Sequence, residues 1–132
     1  VRHENIRDHF EIRAALEAEA CRLLCEKKAG LTEIENCMAR SSNAENYSDY
    51  NQSFHYNIWL ASGNHKLVNI LSELWNGLSI GLQTTKIQYA AKSQAEHEKI
   101  FEKLKVYDSE AAALEMRNHI LRSMNDILTR YE

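Results

Sequence analysis

No proline interrupts this chain of 132 residues, and glycine occurs only four times. Apolar side chains return every three or four positions, and runs of alternating β-branched residues are almost missing. A chain with that pattern and without the residue that breaks helices buries its hydrophobic surface as packed helices. Apolar residues at 44% and charged residues at 27% fit an all-α protein. The length suits one domain spanning 1–132, able to bury about two thirds of the surface its unfolded chain exposes.

Ile6, Phe10, Ala14, Leu16, Ala20, Leu23 and Leu24 predict a first helix that runs to Lys28 and stops before Gly30. Arg13 and Glu17 stand one turn apart on it and read first as a solvated ion pair worth a few tenths of a kcal/mol. Thr32 with Glu35 has the spacing of a capping box and opens a second helix to about Ala44. Ser48 or Asp49 caps a third, with Phe54, Ile58 and Leu60 or Ala61 on its apolar side and Gly63 as a left-handed stop. A fourth is predicted from His65 to about Tyr89. Its face of Leu67, Ile70, Leu71, Leu74, Trp75, Leu78 and Leu82 is broad enough to be contacted from two sides. Gly77 and Gly81 fall inside it, where close approach of another backbone, or else of a ligand, accounts for them, packing being the first reading. Ser93 and Glu96 suggest another capping box, leading a short helix with His97, Ile100, Phe101 and Leu104 on one face. Asp108 caps the last, whose stripe is Ala112, Met116, His119, Ser123, Met124, Ile127 and Tyr131. Short connections make this an antiparallel bundle of six helices, or seven.

Net charge is −3, and no basic cluster exceeds Lys27-Lys28. These residues are therefore poorly suited to holding nucleic-acid phosphates. Cys21, Cys25 and Cys37 are odd in number and lack a CxxC spacing, which points to reduced, buried thiols and a cytoplasmic protein. No apolar run reaches the 18 or so residues that a membrane helix needs. The chain opens directly into charged helix, as an excised domain or the second half of a longer protein would.

His3, His9 and His65 fall at helix starts or off the stripes and read as surface residues. His55, His97 and His119 each sit in the core stripe of a different helix. A single buried histidine is more often a hydrogen-bonded core residue than a ligand. Three on three helices that can meet at one point make a site for zinc, nickel or copper equally plausible. Asn51, one turn before His55, would be the fourth protein group. Asp49 lies six residues before His55, about 240° around the helix, and cannot substitute. No phosphate loop, nucleophile elbow or HExxH motif occurs, and the ExxH pairs of a di-iron bundle are missing.

The run Glu11-Ile12-Arg13-Ala14-Ala15-Leu16-Glu17, then Phe54-His55 leading to Ala61-Ser62-Gly63-Asn64, then Glu96-His97-Glu98-Lys99-Ile100, and Asp108 and Ala111 leading to Met116-Arg117-Asn118-His119, resembles the FCD domain. This is the C-terminal effector-binding domain of FadR-type members of the GntR transcription regulators. The motifs come in order over essentially the whole chain, and six helices bring it nearer the VanR-type branch. The resemblance implies a homodimer that binds a small organic acid or similar metabolite in its core. A separate N-terminal winged helix-turn-helix, absent from this sequence, would hold the DNA. It also implies a divalent metal, zinc or nickel, on His55, His97 and His119. Where the family has an aspartate this chain has Asn51, a neutral and weaker ligand. Arg13 matches an arginine that often faces the effector.

Three functions compete on this reading. The first is the regulatory module, in which a core ligand shifts a dimer between two arrangements. The second is a metal-dependent helical enzyme, disfavoured because no general base is evident beside the histidines. The third is a purely structural dimerisation module.

Overall fold

The computed structural model describes residues 3–40, 47–77 and 87–130, without the side chains of 87–89. The described residues form six helices: α1 (His3–Lys27), α2 (Thr32–Ala39), α3 (Tyr47–Ala61), α4 (His65–Asn76), α5 (Ile87–Lys105) and α6 (Ser109–Arg130). Together they make the all-α bundle expected. α1 is its axis, in contact with α3, α4, α5 and, most extensively, α6. α1 and α6 run antiparallel: the Tyr107 hydroxyl just before α6 donates to the Ala29 carbonyl just after α1, at 2.6 Å.

Helix ends follow from local chemistry. At the end of α1 the Ala29 N–H reaches the Leu24 carbonyl and the Lys28 N–H that of Cys25, a Schellman closure with Lys28 in the left-handed region at φ 49°. Tyr107 does the same after α5, at φ 55°. Gly63, at φ 70°, ends α3 as expected. Lys27 reinforces that end by donating from Nζ to the Ser62 carbonyl at 2.7 Å. Asn64 then caps α4 by accepting the Leu67 N–H, and Asp108 caps α6 by accepting that of Ala111.

Several boundaries differ from the sequence reading. Thr32 is not a cap; Leu31 holds that position without a side-chain bond, because α2 starts one residue earlier than the Thr32–Glu35 box requires. Ser48 and Asp49 lie inside α3. The fourth helix closes at Asn76, with Gly77 as its C-cap rather than an interior glycine. Ile87–Tyr89 belong to α5, which is a long helix, and Ser93 is a buried residue within it. The spacing Ser-x-x-Glu also places two residues on one helix face, and here that face meets α6. The parts of these readings that involve Ala44, Leu78, Gly81, Leu82 and Tyr131 lie outside the described residues.

The core holds Phe10, Leu24, Phe54, Ile58, Trp59, Leu71, Ile100, Leu104, Met116 and Ile120, each buried. Removing such a side chain from water is worth roughly 1.5–3 kcal/mol. On α3 the apolar side turns through Ala61, and Leu60 is exposed. Cys21, Cys25 and Cys37 are free and buried, and burial pushes the Cys21 thiol well above its ordinary pKa. Among the described residues no helix is long and apolar enough to cross a membrane.

Candidate metal centre

The stripe of α1 does not stay apolar. Between Phe10 and Ala20 the inward positions are taken by Arg13, Ala14 and Glu17, all buried. The expected solvated pair is instead a buried one, with Arg13 Nε 2.7 Å from Glu17 Oε2. The other oxygen of Glu17 accepts from His55 Nδ1 at 2.6 Å and from the Trp59 indole N–H at 2.9 Å, both on α3. Burial alone would raise the Glu17 pKa. The charges and N–H donors of His55, Arg13 and Trp59 outweigh it and hold the carboxyl ionised, well below the usual range.

His55 of α3, His97 of α5 and His119 of α6 meet beside this carboxylate, all three buried. One nitrogen from each ring lies within 4.8 Å of the others. The His97 and His119 Nε2 atoms are 3.1 Å apart. Phe54 stacks on the His97 ring with centroids 4.0 Å apart, and His55 and His119 lie nearly parallel at 5.4 Å.

Each Nδ1 is tied from behind. His55 has Glu17, His97 has the Tyr50 hydroxyl at 2.8 Å, and His119 has Glu96 Oε1 at 2.7 Å. Glu96 is anchored in turn by Arg122, which also bonds Ser93 and Asp126. That anchoring and the His119 bond outweigh the effect of burial and bring the Glu96 pKa down to about 2.

Ionised carboxylates only accept, so Nδ1 of His55 and of His119 carries a proton; His119, kept neutral by burial, then has a bare lone pair at Nε2, and a metal bound here would need the same of His55 Nε2. In the metal-free chain His97 then donates from Nε2 to His119 and accepts the Tyr50 O–H at Nδ1. Burial keeps both rings of this pair neutral: it lowers His119 to about 4, Glu96 only partly opposing, and His97 well below the ordinary value. His55 Nε2 is left buried without a hydrogen-bond partner. Such an atom costs about 1–3 kcal/mol, which a cation would relieve. Zinc–nitrogen bonds of about 2.0–2.1 Å put tetrahedral ligand atoms roughly 3.4 Å apart. The His97–His119 spacing is already close to that, and the three imidazoles fit a divalent ion.

The family model of the FCD domain matches residues 8–122 of this chain. The chain belongs to the FCD family. FCD domains are the C-terminal domains of GntR-family regulators. No curated protein matches the chain closely enough to report. The matched span takes in Arg13, Asn51 and all three histidines of the centre, and ends at Arg122.

Of the two other candidates in this FCD domain, Asn51 is half-buried, and its Oδ1 accepts from the Tyr47 hydroxyl at 3.3 Å. Arg13 spends only Nε on Glu17, and its guanidinium carbon lies 4.4 Å over the Trp75 ring. His3 and His65 are exposed as expected, whereas His9 is half-buried with its ring edge against Phe10. Burial and the charge of Arg13 lower its pKa to about 4. Sequence reasoning missed Glu17, Tyr50, Trp59, Glu96 and Arg122 as parts of the site. The signal available for Glu17 was its place in the series Ile6, Phe10, Arg13, Glu17, Ala20, Leu24, which keeps core spacing through two charged residues.

Proposed function

We propose that this FCD domain is the effector-binding and dimerisation half of a GntR-type transcription regulator, working in the cytoplasm with DNA held by a separate N-terminal domain. His55, His97 and His119 bind one divalent metal, zinc or nickel, with Asn51 as the fourth protein group. The observation that carries this reading is the unpartnered, buried His55 Nε2 facing two other imidazoles whose far nitrogens are all engaged. When bound, the metal supplies a positive centre for a carboxylate oxygen of a small organic acid. Arg13 supports the same ligand: its terminal N–H groups have no bond to a described residue, and they suit a carboxylate. Its stacking on Trp75 of α4, and its link through Glu17 to His55 of α3, let ligand binding bias the packing of these helices and hence the dimer. Neither a structural module nor an enzyme is favoured. Satisfied core histidines would leave no orphaned nitrogen, and the nearby carboxylates are occupied by arginines rather than poised to take a proton.

The test is calorimetry of small mono- and dicarboxylic acids against metal-free and metal-loaded protein, after elemental analysis of purified protein. About one zinc or nickel per chain and acid binding that strengthens with metal are expected. No metal uptake near neutral pH, or equal acid affinity with and without metal, would reduce the histidines to core residues. Light scattering should give a dimer at tens of micromolar.

A further inference from the structure

Two carboxylates stand behind the imidazoles, each clamped by an arginine. Arg13 holds Glu17, which accepts from His55; Arg122 holds Glu96, which accepts from His119. Behind the third imidazole, His97, the bond among the described residues is to the neutral hydroxyl of Tyr50. Glu17 is fully buried, and the Glu96 side chain is 24% exposed.

The groups facing the ion position are three neutral imidazoles, joined on the reading above by a neutral amide. A dication among neutral, buried ligands needs compensating negative charge close by, because an uncompensated buried charge is costly. A carboxylate that accepts a ligand's Nδ1–H provides it one step removed. It fixes the tautomer with the Nε2 lone pair exposed, and draws the proton away from the ring so that Nε2 becomes a stronger donor. The arginines hold the two carboxylates against the far nitrogens of the imidazoles, on the side away from the other two rings' Nε2 atoms. They also explain why the site has acids beside it that are not ligands.

We propose that Glu17 and Glu96 are the positioning residues of the metal centre, delivering its negative charge through His55 and His119, and that His97 is the least reinforced of the three ligands. This rests on the metal reading above. The site is therefore graded, with two charge-backed arms and one neutral arm.

The experiment measures zinc affinity by competition with a chromophoric chelator. It also records the visible spectrum of the cobalt-loaded protein and the melting temperature of the metal-free protein. The variants are Glu17→Gln, Glu96→Gln and Tyr50→Phe. Glutamine keeps an oxygen that accepts Nδ1–H and removes only the charge. Each glutamine variant is expected to bind zinc about 10–100-fold more weakly and to shift the cobalt bands, and Tyr50→Phe to lose less than either. Glu96→Gln serves alone if the fully buried Glu17→Gln does not fold. Wild-type protein that takes up no zinc overturns the metal reading and this inference together. Wild-type protein that binds zinc, with Glu96→Gln unchanged in affinity and spectrum and lowered only in melting temperature, overturns this inference alone. A loss in Tyr50→Phe as large as in the glutamine variants also refutes the role of charge.

Discussion

Nε2 of His97 faces Nε2 of His119 at 3.1 Å across the contact between α5 and α6. Two nitrogens at that distance must share either a proton or a cation, and with His119 Nδ1 committed to Glu96 the shared proton belongs to His97. A further proton, on His119 Nε2, would set two N–H donors head to head and place a positive charge in a buried site.

Acid should therefore unfold the metal-free domain early. The folded-state pKa of His119 is lowered from 6.5 to about 4, and that of His97 lies well below 6.5. A depressed histidine adds stability that is complete above about pH 6.5 and is lost as pH falls towards 4. For His119 alone the loss is on the order of 3 kcal/mol. Thermal melts monitored by circular dichroism from pH 7 to 4 should show it, and a flat profile across that window would contradict the burial argument. Saturating zinc should raise the melting temperature near pH 7 and lose its effect in acid, since ligands must be unprotonated.

Two ion pairs on α1 should behave differently. Glu17→Ala leaves Arg13 buried without its carboxylate, and should cost about 3–5 kcal/mol in urea denaturation. Glu19, which pairs with Arg22 near the surface, should change stability little when truncated. Equal effects would mean that the Arg13–Glu17 pair is hydrated in solution.

At the end of α1, Lys28→Gly should stabilise the fold by about 1 kcal/mol, because the exposed lysine occupies the left-handed region that glycine enters freely. Gly63→Ala should do the reverse. The added Cβ meets φ 70° strain and approaches Lys27 Nζ to 3.0 Å, disturbing its bond to Ser62. Chemical denaturation of both variants checks the sign.

Asn51→Asp should tighten zinc binding by adding a carboxylate one turn from His55, and weaken binding of an organic acid that competes for the same positive charge. Calorimetry with the metal-loaded variant reads both. Tighter acid binding by the aspartate variant would remove Asn51 from the ion's surroundings.

The bundle and its three inward histidines could be read from spacing, because apolar periodicity reports burial directly and His55, His97 and His119 each lie on such a stripe. What stands behind the histidines could not. Arg13 and Glu17 had a sufficient local explanation as an i,i+4 pair, and Ser93 and Glu96 as a helix start, so nothing local called for a distant partner. Their partners, His55 and Trp59 for Glu17 and Arg122 for Ser93 and Glu96, come from other helices. The true start of α5 was obscured for a related reason. Continuous apolar spacing from Leu67 onward shows no break, and Gly77 alone carries the signal that the helix ends there.

The three imidazoles ride on three separate helices, with Phe54 and Trp75 packed against them. On the metal reading, all three ligands are buried and come from α3, α5 and α6, so the ion's escape should depend on how often these helices part. Metal exchange would then serve as a clock for the breathing of the bundle. An acid held by the ion and by Arg13, which stacks on Trp75, would slow it and lengthen the residence of the ion.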